Sequence, residues 1–376
     1  MRPFRSATSR PAENKFRPNL ESLDGRIVPA LLNPIGPGGR WVDSLGSLRI
    51  DTNSANDRFT VTDTGGTGTG NVSVRAALGS PADPRLQALN DELAVRHVNS
   101  LTWFDGGGTN AIAVNAGNIP VFTNGDPTGA PITAVSPSLA SVVYIGAQSG
   151  PATGEDRFTV NLTGLAANKT LNVSAAGGVG NDTLLVNAGG RYLGGSNLSV
   201  SMVGQLGADR VGVNAWNPGA TMERGSNMRV SLSGNTVGTI DDAADAGNDV
   251  FYWHLGRMDG NIQFDLAGSG GRDQVSANLW LNAESTGSVG NGTATGARVR
   301  GGAGNDTLQY IVRGNTRPAP GVGVRYNNLT MDGGTNDVGG QDTALFALTP
   351  PPSALVTTTG ANGLESVERK LFEAIG

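Results

Sequence analysis

Cysteine is absent from this chain of 376 residues. No disulfide framework, thiolate metal site or cysteine nucleophile can therefore be built from it. Histidine is nearly absent too: His97 and His254 are the 2 copies, too few for a multi-histidine metal centre. Aromatic residues make up 5 % of the chain and charged residues 16 %, the latter well below the usual quarter. No apolar run approaches the roughly 18 residues that mark a membrane-spanning helix. The net charge of -5 argues against a nucleic-acid partner, which requires a basic face. Three of the 27 cationic residues are Lys (Lys15, Lys169 and Lys370), and the Arg residues are scattered rather than clustered.

What the chain has in excess is glycine, with 57 residues, roughly twice the usual share. Long helices cannot run through so much glycine, which costs about 1 kcal/mol per interior helix position relative to Ala. The hydrophobic content of 38 % is nevertheless too high for a disordered chain. The apolar residues are mostly Val, Leu, Ala and Ile, in short alternating bursts between Gly, Asn and Asp, which is the signature of short strands.

A degenerate phrase recurs: a Gly/Asn turn, an Asp, then alternating apolar residues. Its Asp residues are Asp57, Asp156, Asp182, Asp209, Asp249, Asp273, Asp306 and Asp342, and a variant copy carries Asn110 in that place. From Asp156 onward the intervals are 26, 27, 40, 24, 33 and 36 residues. A second alternating segment precedes most copies, as in Leu171–Ser174, Leu198–Val203, Met228–Leu232 and Ile262–Leu266. Two short strands cannot bury their own apolar face, but stacked units can. The sequence thus predicts an all-β fold, a parallel β-helix or β-solenoid with short Gly/Asn/Asp turns. An antiparallel β-sandwich is the alternative, because two strands around a glycine-rich turn also describe a hairpin.

The expected organisation is a basic leader over 1–30, a solenoid over 31–350 with an irregular N-terminal part, and a linker and cap over 351–376. Leu86, Leu89, Leu93 and Ala94 have helical spacing and predict a short amphipathic helix near 84–97. The tail Gly363–Ile375 reads either as a helical cap or as a final strand.

Two segments resemble known families. Gly177–Leu185 (GGVGNDTLL) and Gly301–Gln309 (GGAGNDTLQ) are similar to the GGxGxDxUx nonapeptide of RTX, or hemolysin-type, calcium-binding repeats. That resemblance implies calcium as cofactor, held by oxygen ligands as a hard cation requires. Asp182 and Asp306 are the first candidates, with Asp156 and Asp209 joining them if coils stack in sequence order. The competing reading makes each Asp a turn former that bonds nearby N–H groups. At the other end, Arg17–Ala30 (RPNLESLDGRIVPA) resembles the RPxLExLExRxxPA leader of predicted extracellular proteins of planctomycetes. Asp24 and Gly25 depart from that pattern. The resemblance implies export or delivery to the cell surface. The same stretch lacks the 7–15-residue apolar segment of a conventional signal peptide.

Catalytic motifs are few. Asp241, Asp242, Asp245 and Asp249 form an acidic cluster near Trp253 and His254. It reads either as a solvated loop or as carboxylates for glycoside cleavage. Asp105–Thr109 (DGGGT) lacks the Gly-Lys-Ser/Thr ending of a phosphate loop. The expected function is a non-catalytic extracellular or cell-surface structural or adhesive repeat protein, calcium-stabilised if the repeat Asp residues ligate the ion. Its expected partner is a cell-surface or matrix component, such as a polysaccharide. The alternative is a polysaccharide-active β-helix lyase or hydrolase.

Overall fold

The computed structural model describes residues 39–44, 47–52, 58–63, 71–77, 93–96, 100–105, 107–116, 139–147, 154–216, 220–234, 248–281, 285–290, 296–314, 325–326, 329–335, 343–349, 356–359 and 366–371. Over these residues the chain is all-β, with no helix, in two sheets of 13 strands each. The first sheet runs β1 (Gly39–Ser44), β2 (Ser47–Thr52), β6 (Ser100–Phe104), β8 (Ser141–Ile145), β10 (Thr170–Val179), β12 (Asn197–Leu206), β15 (Asn227–Ser233), β17 (Asn261–Gly271), β20 (Ala297–Gly304), β23 (Leu329–Thr335) and β25 (Val356–Thr359). The two-residue strands β19 (Ser288–Val289) and β22 (Arg325–Tyr326) flank it. The second sheet contains β3 (Arg58–Asp63), β4 (Asn71–Ala77), β5 (Leu93–Arg96), β7 (Ala111–Ala116), β9 (Arg157–Leu165), β11 (Thr183–Tyr192), β13 (Arg210–Trp216), β14 (Thr221–Met222), β16 (Asn248–Met258), β18 (Gln274–Leu281), β21 (Thr307–Gly314), β24 (Thr343–Thr349) and β26 (Ser366–Leu371).

The chain alternates between the sheets, one strand in each per coil. Neighbouring coils pair in parallel, as in β10 with β12 and β11 with β13. Parallel pairing excludes the sandwich alternative, whose hairpins would pair antiparallel. This is a parallel β-solenoid with two broad faces.

Strand alternation builds its core. In β9 the exposure pattern alternates from Arg157 inward, with Phe158, Val160 and Leu162 buried. Successive coils stack like residues on like: Phe158, Leu184 and Val211 share one row, and Val160, Val186 and Val213 the next. Burial of each such side chain contributes roughly 1.5–3 kcal/mol. The few aromatics bridge the two sheets from inside. Trp103 on β6 meets Phe59 on β3 edge-on at 4.3 Å, and Tyr144 on β8 stacks on Phe158 at 5.0 Å.

Antiparallel strands cluster at the N-terminal end. There β1 lies along β2, and β4 and β5 extend the sheet beyond β3. One correction falls here: Leu93–Arg96, placed in the expected helix, is strand β5. Leu93 and Val95 also alternate as a strand does, and pairing with β4 decides between the two periods. The rest of 84–97 lies outside the described residues. At the other end, β25 and β26 pair in parallel with β23 and β24. The tail therefore takes its strand reading over Ser366–Leu371, and the coils continue past the expected break at 350.

Coils approach closely along a row of glycines at the end of the first-sheet strands. Gly146, Gly177, Gly204, Gly234, Gly268, Gly301 and Gly333 stand one above another. A methyl group added at Gly177 would come within 2.5 Å of the Gly204 carbonyl oxygen. The same substitution at Gly204 would strike the Gly234 oxygen and the Asp209 carboxylate. Gly194, in the opposite turn, has its nearest atom, the Arg224 oxygen, at 3.1 Å. Gly204→Ala is expected to lower stability in urea unfolding by about 3 kcal/mol, the upper range for overpacking. Gly194→Ala should change it by well under half of that, and equal losses would contradict the close-approach account.

Candidate functional site at the aspartate corner

Between β10 and β11, β12 and β13, β17 and β18, and β20 and β21, the chain leaves the first sheet through its glycine turn, passes the repeat Asp, and enters the second sheet. A tight corner leaves backbone N–H groups without a ladder partner, and a buried N–H must find one. The repeat Asp supplies it from the next coil. Asp156 Oδ1 accepts the Asn110 N–H, Asp182 Oδ1 that of Asp156, and Asp209 Oδ1 that of Asp182, each at 2.8 Å. Asp306 Oδ1 accepts the Asp273 N–H at 3.0 Å. The backbone closes the same step in parallel: the Thr183 N–H donates to the Asp156 carbonyl and the Arg210 N–H to that of Asp182, both at 2.8 Å.

The second carboxyl oxygen packs on the glycine row. The Oδ2 atoms of Asp182, Asp209, Asp273 and Asp306 lie against Gly177, Gly204, Gly268 and Gly301, five residues earlier in each coil. Asp182 Oδ2 occupies the space of a Gly177 side chain, 2.6 Å from where its Cβ would stand. The other glycines of the two complete nonapeptides meet a different need. Gly178, Gly180, Gly302 and Gly304 have φ of 106°, 144°, 115° and 127°, which favours glycine. In the degenerate copy Gln205 holds the Gly178 position at φ 84°.

The four calcium candidates are thus placed on one corner. Asp156, Asp182 and Asp209 stand in adjacent coils, and Asp306 stands beside Asp273 further along the same edge. All are buried, at 5 % exposure or less. Their Oδ1 atoms face backbone donors, and for Asp182, Asp209 and Asp306 the Oδ2 atoms face a glycine backbone. Among the described residues no three His, Cys, Asp or Glu side chains are grouped to hold a metal ion. A hard cation takes six or more converging oxygens; here Asp182 Oδ2 is buried beside the Gly177 backbone without a hydrogen-bond partner.

Asp249 breaks the row. It pairs with Val211 and Val275 rather than standing level with Asp209 and Asp273, two positions along the strand from the corner. Asp57, Asp241, Asp242, Asp245 and Asp342 lie outside the described residues. In register, Trp253 stands level with Ala215 and Leu279, and His254 with Trp216.

One coil exchanges its polar residues. Asn110 takes the Asp position, and Asp105, five residues earlier, stands level with Gly146 in the glycine row. The Asn110 amide donates to Asp105 Oδ2 at 2.8 Å. Tyr144 Oη lies 2.8 Å from Asp156 Oδ2 and 3.3 Å from Asp105 Oδ2. Sequence reasoning used Asp105 only to reject a phosphate loop. The signal that could have found this cluster is the Asn in the Asp slot with an Asp in the glycine slot of the same coil.

Burial, then hydrogen bonding and repulsion from Asp105, push the Asp156 carboxyl up from 3.8 to about 8. Burial also raises Asp182, to about 6, against the stabilising Asp156 N–H, while the charges of Asp105 and Glu155 add to the rise. Burial, and next the charge of Asp156, raise the Tyr144 hydroxyl, which stays protonated. The sequence also concealed two outward amide ladders. Asn161 Nδ2 donates to Asn115 Oδ1 at 2.8 Å and Asn187 Nδ2 to Asn161 Oδ1 at 2.7 Å. On the other sheet Asn227 Nδ2 donates to Asn197 Oδ1 at 2.9 Å and Asn261 Nδ2 to Asn227 Oδ1 at 3.0 Å.

Among known proteins, no family model, no curated protein and no solved structure matches this chain.

Two outcomes follow. The folded chain keeps a proton on Asp156 at pH values where the unfolded chain has released it. The stability this gives is complete below about pH 4 and is lost as pH rises through about 8. Thermal melts should therefore fall between pH 5 and pH 9, and Asp156→Asn should flatten the slope; an equal slope in the variant would remove the buried proton from the account. Melts in chelator and in excess calcium should coincide, whereas a calcium-dependent rise of several degrees would place the ion on the corner after all.

Proposed function

We propose that this chain is a non-catalytic structural or adhesive repeat protein that works outside the cell or on its surface. The observation that carries the reading is the use to which the repeat carboxyls are put. Groups that could do chemistry in a cleft are instead spent on joining one coil to the next. They are buried, hydrogen-bonded to backbone and packed on glycine. Such a framework offers two broad faces, with outward asparagine rows beside exposed arginines, suited to laying against an extended partner. The leader-like segment Arg17–Ala30 supports delivery to the surface, and the scarcity of His and Cys supports a role without catalysis. The reading does not require calcium, because the carboxyl-to-backbone bonds join the coils without an ion.

Surface proteolysis of intact source cells, followed by immunodetection, tests the location. Loss of the full-length band on shaving, and intracellular retention when residues 1–30 are deleted, are expected. A band fully protected from protease in intact cells would overturn the proposal.

A further inference from the structure

The second sheet carries an outward row at the first position of its strands. The pairing registers make it Arg58, Ala111, Arg157, Thr183 and Arg210, on β3, β7, β9, β11 and β13. Over these five coils arginine recurs at every second coil, before the row passes to Asn248, Gln274, Thr307 and Thr343; all three arginines are exposed while Ala111 and Thr183 are half-buried. Neighbouring strands lie about 4.8 Å apart, so the guanidinium groups are anchored at a repeat of about 9.6 Å. None of the three forms an ion pair or side-chain hydrogen bond among the described residues.

Two further rows run beside it. Two residues along each strand come Thr60, Ala113, Thr159, Leu185 and Gly212, a floor that is low except at Leu185. Four residues along come Thr62, Asn115, Asn161, Asn187 and Asn214. In the Asn115–Asn161–Asn187 ladder, Asn161 and Asn187 each spend one amide proton on the neighbouring coil; an amide carries two. The result is a shallow trough across the coils, with periodic cations on one side and amides on the other. Exposed Glu155 lies beside the row in one coil. The corner carboxyls Asp156, Asp182 and Asp209 behind it are buried.

We propose that this trough binds an extended anionic polysaccharide bearing one carboxylate per disaccharide. The two-coil repeat is close to the length of one disaccharide in an extended β-linked chain. Each arginine then meets a carboxylate through a planar, two-pronged contact. The short Ala111 and Thr183 leave room for the sugar rings between them, and the asparagines face hydroxyl groups. The proposal rests on the surface reading given above and names the partner class.

Affinity electrophoresis of the full chain in gels containing hyaluronate, which has one carboxylate per disaccharide, tests it. Polygalacturonate, with a carboxylate on every sugar, and duplex DNA serve as comparison polymers. Hyaluronate should retard the protein in a salt-dependent manner, and more strongly than either comparison polymer. The variant Arg157→Gln with Arg210→Gln should lose roughly tenfold or more in affinity, as expected for removing two charge-assisted contacts. Arg224→Gln with Arg229→Gln removes two exposed arginines elsewhere, at equal cost in net charge, and should bind as the parent does. No retardation by hyaluronate, an equal loss in the control pair, or equal retardation by DNA would each overturn the proposal. A protein found outside the cell that ignores hyaluronate would refute the trough and leave the surface reading standing.

Discussion

At the corner between the sheets, an aspartate carboxylate accepts the backbone N–H of the preceding coil. That contact sets most of what else the molecule can be. A parallel sheet gives regular pairing along each strand but none where the chain turns. Without a partner, each corner N–H would be buried at a cost of about 1–3 kcal/mol. The carboxyl removes that cost and in doing so fixes the coil register, since a slip of one residue would turn every side chain to the opposite face. The glycine row is the other half of the same device. It lets the backbones approach and leaves a seat for the second carboxyl oxygen.

This constraint also explains why the two complete nonapeptides can look like ion-binding repeats while their carboxyls serve a different end. The glycine positions answer to backbone geometry, positive φ at Gly178 and Gly180 and close approach at Gly177. An ion needs that turn shape and, in addition, oxygens that converge on open space. Here each Oδ1 accepts a backbone N–H of the preceding coil and Oδ2 packs on the glycine row. The exchange in the Asn110 coil shows how far the device can be varied. With the carboxyl moved to Asp105, the corner keeps its acidic partner by drawing half-buried Asp105 together with buried Asp156 and Tyr144.

Much of the fold was legible because strand alternation and turn glycines are local signals. The segments Leu171–Ser174 and Leu198–Val203 read as strands and are strands, and the Asp-to-Asp spacing of Asp156, Asp182 and Asp209 matched one coil. Asp249 misled because its phrase looks like the others while its pairing sets it two positions along. No local pattern reveals such a shift; only the neighbours Val211 and Val275 do. Leu93–Arg96 misled for a related reason, since a few apolar residues can satisfy helical and extended periods alike. Pairing with β4 made the choice.

Composition and periodicity alone determined that this chain folds into short strands, without disulfides, thiolate chemistry or a multi-histidine centre. They also determined that its glycines mark turns, because glycine is costly inside helices and needed at positive φ. Only the tertiary structure decided that the repeat carboxyls face backbone N–H groups. It alone aligned Arg58, Arg157 and Arg210, which are 99 and 53 residues apart in the chain, into one row. The reason is the same in both cases: a side chain's neighbours in a solenoid belong to the next coil, and insertions of unequal length separate those coils in sequence.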